Sequence, residues 1–174
     1  MTWQIAEVQS EYKVGINTNL ANKLVLKAIE LGVISQLQGF STIRTEVPYG
    51  EQNSRIDILL ESRPSNAACF VEVKNVSLGV GEGLGLFPDA VTTRGQKHLQ
   101  ELMEMRRTGK RAVLLFCVQH EGIDRVAPAD TIDAEYGRLL RQAVSEGVEV
   151  LAYGANPNIA ASTISLVREI LLVL

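Results

Sequence analysis

Apolar positions follow two periods along this chain, and their alternation lays out an α/β protein. Helical spacing puts Leu20, Ala21, Leu24, Val25, Ala28 and Ile29 on one face, with Asn17-Thr18-Asn19 as capping residues before them and Gly32 as the stop. A second helix fits about 93–108, with Leu99, Leu102, Met103 and Arg106 on one stripe and Gly109 at its end. A third fits about 133–146 and stops at Gly147. Strand-like runs fill the intervals. A short one lies within 3–16, ending in Tyr12-Lys13-Val14-Gly15-Ile16. Three more follow one another at about 40–49, 54–61 and 67–76, parted by Gly50-Glu51-Gln52-Asn53 and Pro64-Ser65-Asn66. Ala112 to Val118 is apolar throughout, as in a strand buried on both faces of a parallel sheet, and Val148 to Tyr153 is a second such run. Residues 162–174 suit a helix or a pair of short strands equally well.

The predicted order is therefore β-α-βββ-α-β-α-β. Consecutive strands can form a meander, whereas strands reached through helices favour parallel pairing. The fold class expected is α/β, with a mixed central sheet flanked by helices. Residues 77–92, with Gly79, Gly81, Gly83 and Gly85 before Phe87-Pro88-Asp89, read as a glycine-rich loop, either an active-site flap or a plain connector. It is not a phosphate loop, because the Gly-Lys-Ser/Thr ending is missing and no helix starts after the glycines.

One polar pattern stands out against this background. Asp57 interrupts Arg55-Ile56-Asp57-Ile58-Leu59-Leu60, otherwise a buried strand, and after fourteen intervening residues Glu72-Val73-Lys74 follows inside the next strand. Side chains alternate along a strand, so Glu72 and Lys74 share a face, about 6–7 Å apart. An unpaired charge in such a setting costs several kcal/mol or more, so each needs a partner. Two carboxylates and an ammonium on neighbouring strands fit divalent-metal phosphodiester chemistry. Asp57, Glu72 and the Val73 carbonyl would be oxygen ligands for Mg²⁺ or Mn²⁺, and Lys74 would position water and stabilise negative charge. A structural Glu-Lys pair with a satisfied aspartate is the bland alternative. Glu46, in the strand before, is a further metal-ligand candidate or a solvated strand residue; Glu30 reads as a solvated helix residue. Arg94, Lys97 and His98 open the second helix, where a helix N-terminus and basic side chains favour phosphate, so they are candidate nucleic-acid contacts. Arg106, Arg107, Lys110 and Arg111 at its far end read as a solvated basic face.

Composition narrows the classes. The 174 residues suit a single domain, 17 basic against 20 acidic residues give a net charge of −3, and this excludes a strongly basic nucleic-acid binder. The two cysteines, Cys69 and Cys117, lie in apolar runs and match no zinc or redox spacing. No signal peptide opens the chain, and Ile164 to Leu174 is too short and too charged to cross a membrane. A cytoplasmic protein with no membrane partner is expected. Homo-oligomer formation stays open.

Several stretches resemble the sugar fermentation stimulation protein family. They are Val14-Gly15-Ile16-Asn17-Thr18 with Ala21-Asn22, Ser54 to Leu60, Glu72 to Leu78, Phe87 to Thr92, Arg94-Gly95-Gln96-Lys97-His98-Leu99 and Ala112 to Phe116. Pro128-Ala129-Asp130, Ile132-Asp133 and Gly147 to Val150 also fit. The resemblance implies a restriction-endonuclease-like PD-(D/E)xK core with Asp57, Glu72 and Lys74 at its signature positions. It further implies DNA binding without sequence specificity, with nuclease activity or a non-catalytic regulatory role in sugar (maltose) metabolism as the two functional expectations. Members of the family carry an N-terminal OB-like domain before the segment matching Thr2-Trp3, so residues 1–174 are expected to be one nuclease-like domain without that module. Gln119-His120 stands where the family usually has Gln-Arg, which removes a basic group.

Overall fold

The computed structural model describes residues 5–8, 12–15, 17–50, 54–63, 65–158 and 163–174. In chain order its elements are β1 (Ile5–Val8), β2 (Tyr12–Gly15), α1 (Ala21–Glu30), β3 (Thr42–Tyr49), β4 (Ser54–Ser62), β5 (Ala67–Val76), β6 (Leu78–Gly79), β7 (Leu84–Phe87), α2 (Thr93–Arg107), β8 (Arg111–Val118), β9 (Arg125–Pro128), α3 (Ala134–Ser145), β10 (Glu149–Asn158), β11 (Thr163–Glu169) and β12 (Leu171–Leu172).

Strand β8 explains the architecture. Its residues from Ala112 to Val118 are buried without exception, and a strand with no polar face must lie inside a sheet covered on both sides. The main sheet has the order β11-β10-β8-β5-β4-β3. β3, β4 and β5 form the antiparallel meander, β5 pairs parallel with β8, β8 pairs parallel with β10, and β11 returns antiparallel. The alternation along β8 divides two cores. Leu114 and Phe116 pack with Leu99 and Leu102 of α2 and Tyr136, Leu139 and Leu140 of α3. Val113, Leu115 and Cys117 pack with Leu24, Val25, Ala28 and Ile29 of α1. Burial pushes the thiols of Cys69 and Cys117 up to about 12, consistent with two inert core residues.

The structure corrects one expectation and refines three others. The segment 77–92 is not all loop: β6 and β7 form a short antiparallel hairpin, and β7 joins the missed strand β9 and β12 in a four-stranded sheet. Glycine-rich composition hid these strands because their side chains are few and their pairing partners are distant. The ambiguous tail forms two strands, β11 and β12. The N-terminal run is half of a hairpin, β1 with β2. Helix α1 begins at Ala21, after a 3₁₀ turn at Thr18–Leu20, and no side chain caps it. The predicted turn residues 51–53 and Pro64, and residues 1–4, lie outside the described residues. The stops at Gly32, Gly109 and Gly147 stand as expected, each with positive φ (76°, 79° and 88°), a conformation that glycine adopts without a Cβ penalty.

Among the described residues no helix is long and apolar enough to cross a membrane. α2 and α3 are pinned at their N-termini by one carboxylate. Asp133 caps α3 by accepting from the Tyr136 N–H (2.9 Å), and it also accepts from the Thr92 N–H (2.9 Å) and the Gln96 amide at the start of α2. Burial of Asp133 works to raise its pKa, but these hydrogen bonds outweigh it and hold the carboxyl below the usual range.

Asp133→Ala is expected to lower unfolding free energy by about 3 kcal/mol, combining a lost cap with buried donors left unpaired, as read by urea denaturation. Because the folded-state pKa is depressed, the stabilisation is complete above the unfolded value of about 3.9 and is lost as pH falls below it. The stability gap between the native protein and Asp133→Asn is therefore expected to shrink below about pH 4.

Candidate metal and phosphodiester site

Three acids fall in one row across the meander. The β3–β4 register pairs Thr45 with Ile58 and Val47 with Ile56, which sets Glu46 opposite Asp57. The β4–β5 register ends at Ile58 with Val71, and its next position would set Asp57 opposite Glu72. There β4 stops pairing with β5, and the Asp57 side chain takes over: its Oδ2 accepts the Val73 N–H at 2.7 Å. Ile56 faces the α2 side while Ile58 faces the α1 side, so the regular alternation of β4 breaks at Asp57. A charged residue inside an apolar strand thus marks the point where the two strands part. Asn22, in the first turn of α1, donates from Nδ2 to Asp57 Oδ1 at 2.7 Å.

Glu72 is 2 % exposed and lies on the α2 face of β5. Its Oε1 accepts from Lys74 Nζ at 2.7 Å and is in very close contact with His98 Nδ1. Lys74 Nζ also lies 2.9 Å from that ring nitrogen, so ammonium and imidazole gather around a single oxygen. Arg94 donates from Nε to His98 Nε2 at 3.4 Å, one helical turn earlier on α2. This leaves Nδ1 as the nitrogen that donates to Glu72. The other carboxylate oxygen, Oε2, is buried and has no hydrogen-bond partner among the described residues.

The two acids are perturbed in opposite directions. Burial raises the Asp57 pKa, the charge of Glu72 raises it further, and the bonds from Val73 and Asn22 only partly oppose this. Burial would also raise Glu72, but the hydrogen bond from His98 and the charge of Lys74 outweigh it and hold the carboxyl below its ordinary range. Tyr49 stands near the pair; burial and the charges of Glu72, Glu101 and Asp57 push its phenol far up.

The remaining candidates separate. Glu46 is exposed and takes a left-handed conformation (φ 54°), and Glu30 is exposed and pairs with Lys27. Arg94 is exposed and Lys97 half-buried, whereas His98 is buried against the acidic site and not on the outer surface with them. At the far end of α2, Arg107 pairs with Glu104 and Glu146, and Arg111 pairs with Glu149. By contrast, Lys23, Arg55 and Arg94, next to or near Asn22, Asp57 and His98 in sequence, form no ion pair with a described residue. The Glu72–Lys74 pair was among the sequence readings, but the Asn22–Asp57 bond and the contact of His98 with that pair were missed. Asn22 at the start of a helix carried no signal by itself. His98 carried one: it and Leu102 are i,i+4 on α2, so a polar residue shares the core-facing stripe.

Among the described residues, no group of three His, Cys, Asp or Glu side chains converges to hold a metal ion. A cation here would have Asp57, Glu72, the Val73 carbonyl and water. That donor set of two carboxylates and neutral oxygens is what Mg²⁺ takes, and the partnerless Glu72 Oε2 is the oxygen it would satisfy.

A family model described as the sugar fermentation stimulation protein RE domain matches residues 19–160. The sugar fermentation stimulation protein homolog of Saccharophagus degradans is 58% identical over 151 residues, 87% of this chain and 64% of that protein. The homolog of Geobacter metallireducens is 56% identical over 154 residues, 88% of this chain and 65% of its own. The chain therefore spans just under two thirds of the length of these relatives. The structure of Pyrococcus furiosus SfsA in complex with Ca²⁺ is 30% identical, with a TM-score of 0.83 over 93% of this chain and 68% of that one.

Lys74→Met is expected to destabilise the metal-free protein by about 3 kcal/mol, since it removes a charged partner from a buried carboxylate. Adding Glu72→Gln should recover part of that loss. Urea unfolding of the two single variants and the double variant measures the coupling, and strictly additive losses would contradict it.

Proposed function

The chain belongs to the sugar fermentation stimulation protein family, and from that premise we propose that it binds DNA and hydrolyses phosphodiester bonds with Mg²⁺ or Mn²⁺. The observation that carries the reading is the split of the Glu72 carboxylate: one oxygen is neutralised by Lys74 and His98, while the other is buried with no partner among the described residues, in a group whose charge is felt by Asp57. Leaving a charged oxygen without a partner costs free energy, and a divalent cation offsets that cost. The binding of Ca²⁺ by the Pyrococcus furiosus relative supports a divalent site in this fold.

In this reading Asp57, Glu72 and the Val73 carbonyl hold the cation. Val73 directs its N–H towards β4, and its carbonyl lies on the same edge of β5, where the ladder has ended. When bound, the cation polarises the phosphate and neutralises its developing charge. Lys74 acts as a point charge that orients the attacking water and stabilises the negative charge growing on the phosphoryl oxygens. His98 is a positioning residue: its Nδ1 holds Glu72 Oε1, which would leave Oε2 for the cation. Asn22 fixes the Asp57 rotamer in the same way. Arg94, Lys97, Lys23 and Arg55 would meet the phosphate backbone, which explains how a chain of net charge −3 binds a polyanion and why such contacts carry no sequence information.

The test is a cleavage assay on single- and double-stranded DNA with Mg²⁺ or Mn²⁺. The native protein should cut, and Asp57→Ala and Lys74→Ala should lose about 100-fold or more in rate while still binding DNA in a chelator. A native protein that cuts neither DNA with either metal would remove the hydrolytic reading. If it still bound DNA with an affinity falling steeply with salt, a regulatory DNA-binding role would remain. The role of His98 has its own readout. The amide nitrogen of Asn reaches about as far as Nδ1, and that of Gln about as far as Nε2. His98→Asn should therefore keep Mn²⁺ affinity near native, while His98→Gln and His98→Ala lose about 10–100-fold. Equal losses in all three would contradict a positioning role.

A further inference from the structure

A cavity of about 200 Å³ opens where β5 leads into the β6–β7 hairpin, and its lining is Asn75, Ser77, Leu78, Leu86, Phe87 and Asp89. Asn75 and Ser77 continue the edge of β5 that Val73 turns towards β4, so the cavity lies along the strand that carries the candidate hydrolytic site. Its volume lies below the roughly 300 Å³ at which sites for drug-sized ligands begin, and suits one ring system. Half of the lining is apolar. Phe87 is fixed from behind by ring contacts with Phe116 (5.5 Å) and Tyr136 (5.2 Å), which makes that wall rigid.

The polar half determines what can enter. Gln119 donates from Nε2 to Asn75 Oδ1 at 2.6 Å, which occupies the amide oxygen and leaves the Asn75 NH₂ as a donor. Ser77 and Asp89 make no hydrogen bond or ion pair with a described residue. A carboxylate at the mouth repels phosphate and small anions, and no lysine or arginine belongs to the lining. The matching occupant is neutral and flat, with an N–H to give to Asp89 and an acceptor for Asn75.

We propose that this cavity receives one unpaired nucleobase bearing an exocyclic amine, such as adenine or cytosine, from the DNA strand whose phosphate lies at Glu72 and Lys74. The proposal rests on the DNA reading above and deepens it. Thymine fits less well than adenine or cytosine, because its one pairing-edge N–H is flanked on both sides by carbonyl oxygens, so donating it to Asp89 sets a carbonyl against the carboxylate. A base within a duplex cannot reach the cavity without being swung out of the stack, so single-stranded or locally opened DNA is the substrate. The preference concerns one position and does not amount to recognition of a sequence.

Fluorescence anisotropy of short oligo-dA, oligo-dC and oligo-dT, with the full chain in a chelator to prevent hydrolysis, tests this. Oligo-dA and oligo-dC should bind about tenfold more tightly than oligo-dT. Ser77→Phe, which fills the cavity, should erase the difference. Asp89→Asn, at an exposed position that leaves folding intact, should bring oligo-dT closer to the others, because an amide can donate to its carbonyl. Equal binding of all three oligonucleotides, unaffected by either variant, would overturn the pocket and leave DNA binding in place. Failure of every oligonucleotide and of duplex DNA to bind would overturn both.

Discussion

Glu72 is a charge that the fold must neutralise from within. It sits on a central strand, is sealed from water by α2, and is 2 % exposed. Taking a carboxylate out of water costs several kcal/mol even after relaxation, so its neighbours are not free to vary. Lys74 supplies an ammonium from two residues along the same strand, and His98 supplies a ring nitrogen from the covering helix. Both act on the same oxygen. The other oxygen is buried with no hydrogen-bond partner among the described residues.

The wider structure serves that arrangement. β4 parts from β5 at Asp57, one position beyond the last pair, Ile58 with Val71, which exposes an edge of β5 inside the sheet, and the aspartate satisfies the Val73 N–H there. α2 must sit at a fixed height for His98 to reach Glu72. Asp133 sets that height by tying the start of α2 to the start of α3, and Leu99 and Leu102 hold the helix against β8. The short second sheet, β6-β7-β9-β12, is built where β5 ends and places Phe87 and Asp89 beside the site.

Much of the fold was legible in the sequence because burial writes itself into periodicity. The continuous apolar run of β8 announced a strand covered on both faces, and helix-ending glycines marked the three stops. The Asp57 and Glu72-Val73-Lys74 pattern was visible because charges inside buried strands are rare. What could not be read were features that depend on distant pairing. β7 and β9 have four residues each and find partners in one another, about 40 residues apart, with too few side chains for a period to show. His98 was read as a phosphate contact from its basic neighbours. Its actual partner, Glu72, lies 26 residues away on another element, and only the docking of α2 reveals it. Glu46 shares a row with the two acids, but its left-handed backbone leaves it exposed, which no strand pattern could anticipate.

The central claim is that Asp57 and the free oxygen of Glu72 together bind one divalent cation. Calorimetric titration of Mn²⁺ into the native chain, Asp57→Ala and Glu72→Gln addresses it without requiring any substrate. One site per chain in the native protein, lost in both variants while their far-ultraviolet circular dichroism stays native, is the predicted result. Native-like Mn²⁺ binding in both folded variants, or none in the native protein, would contradict it.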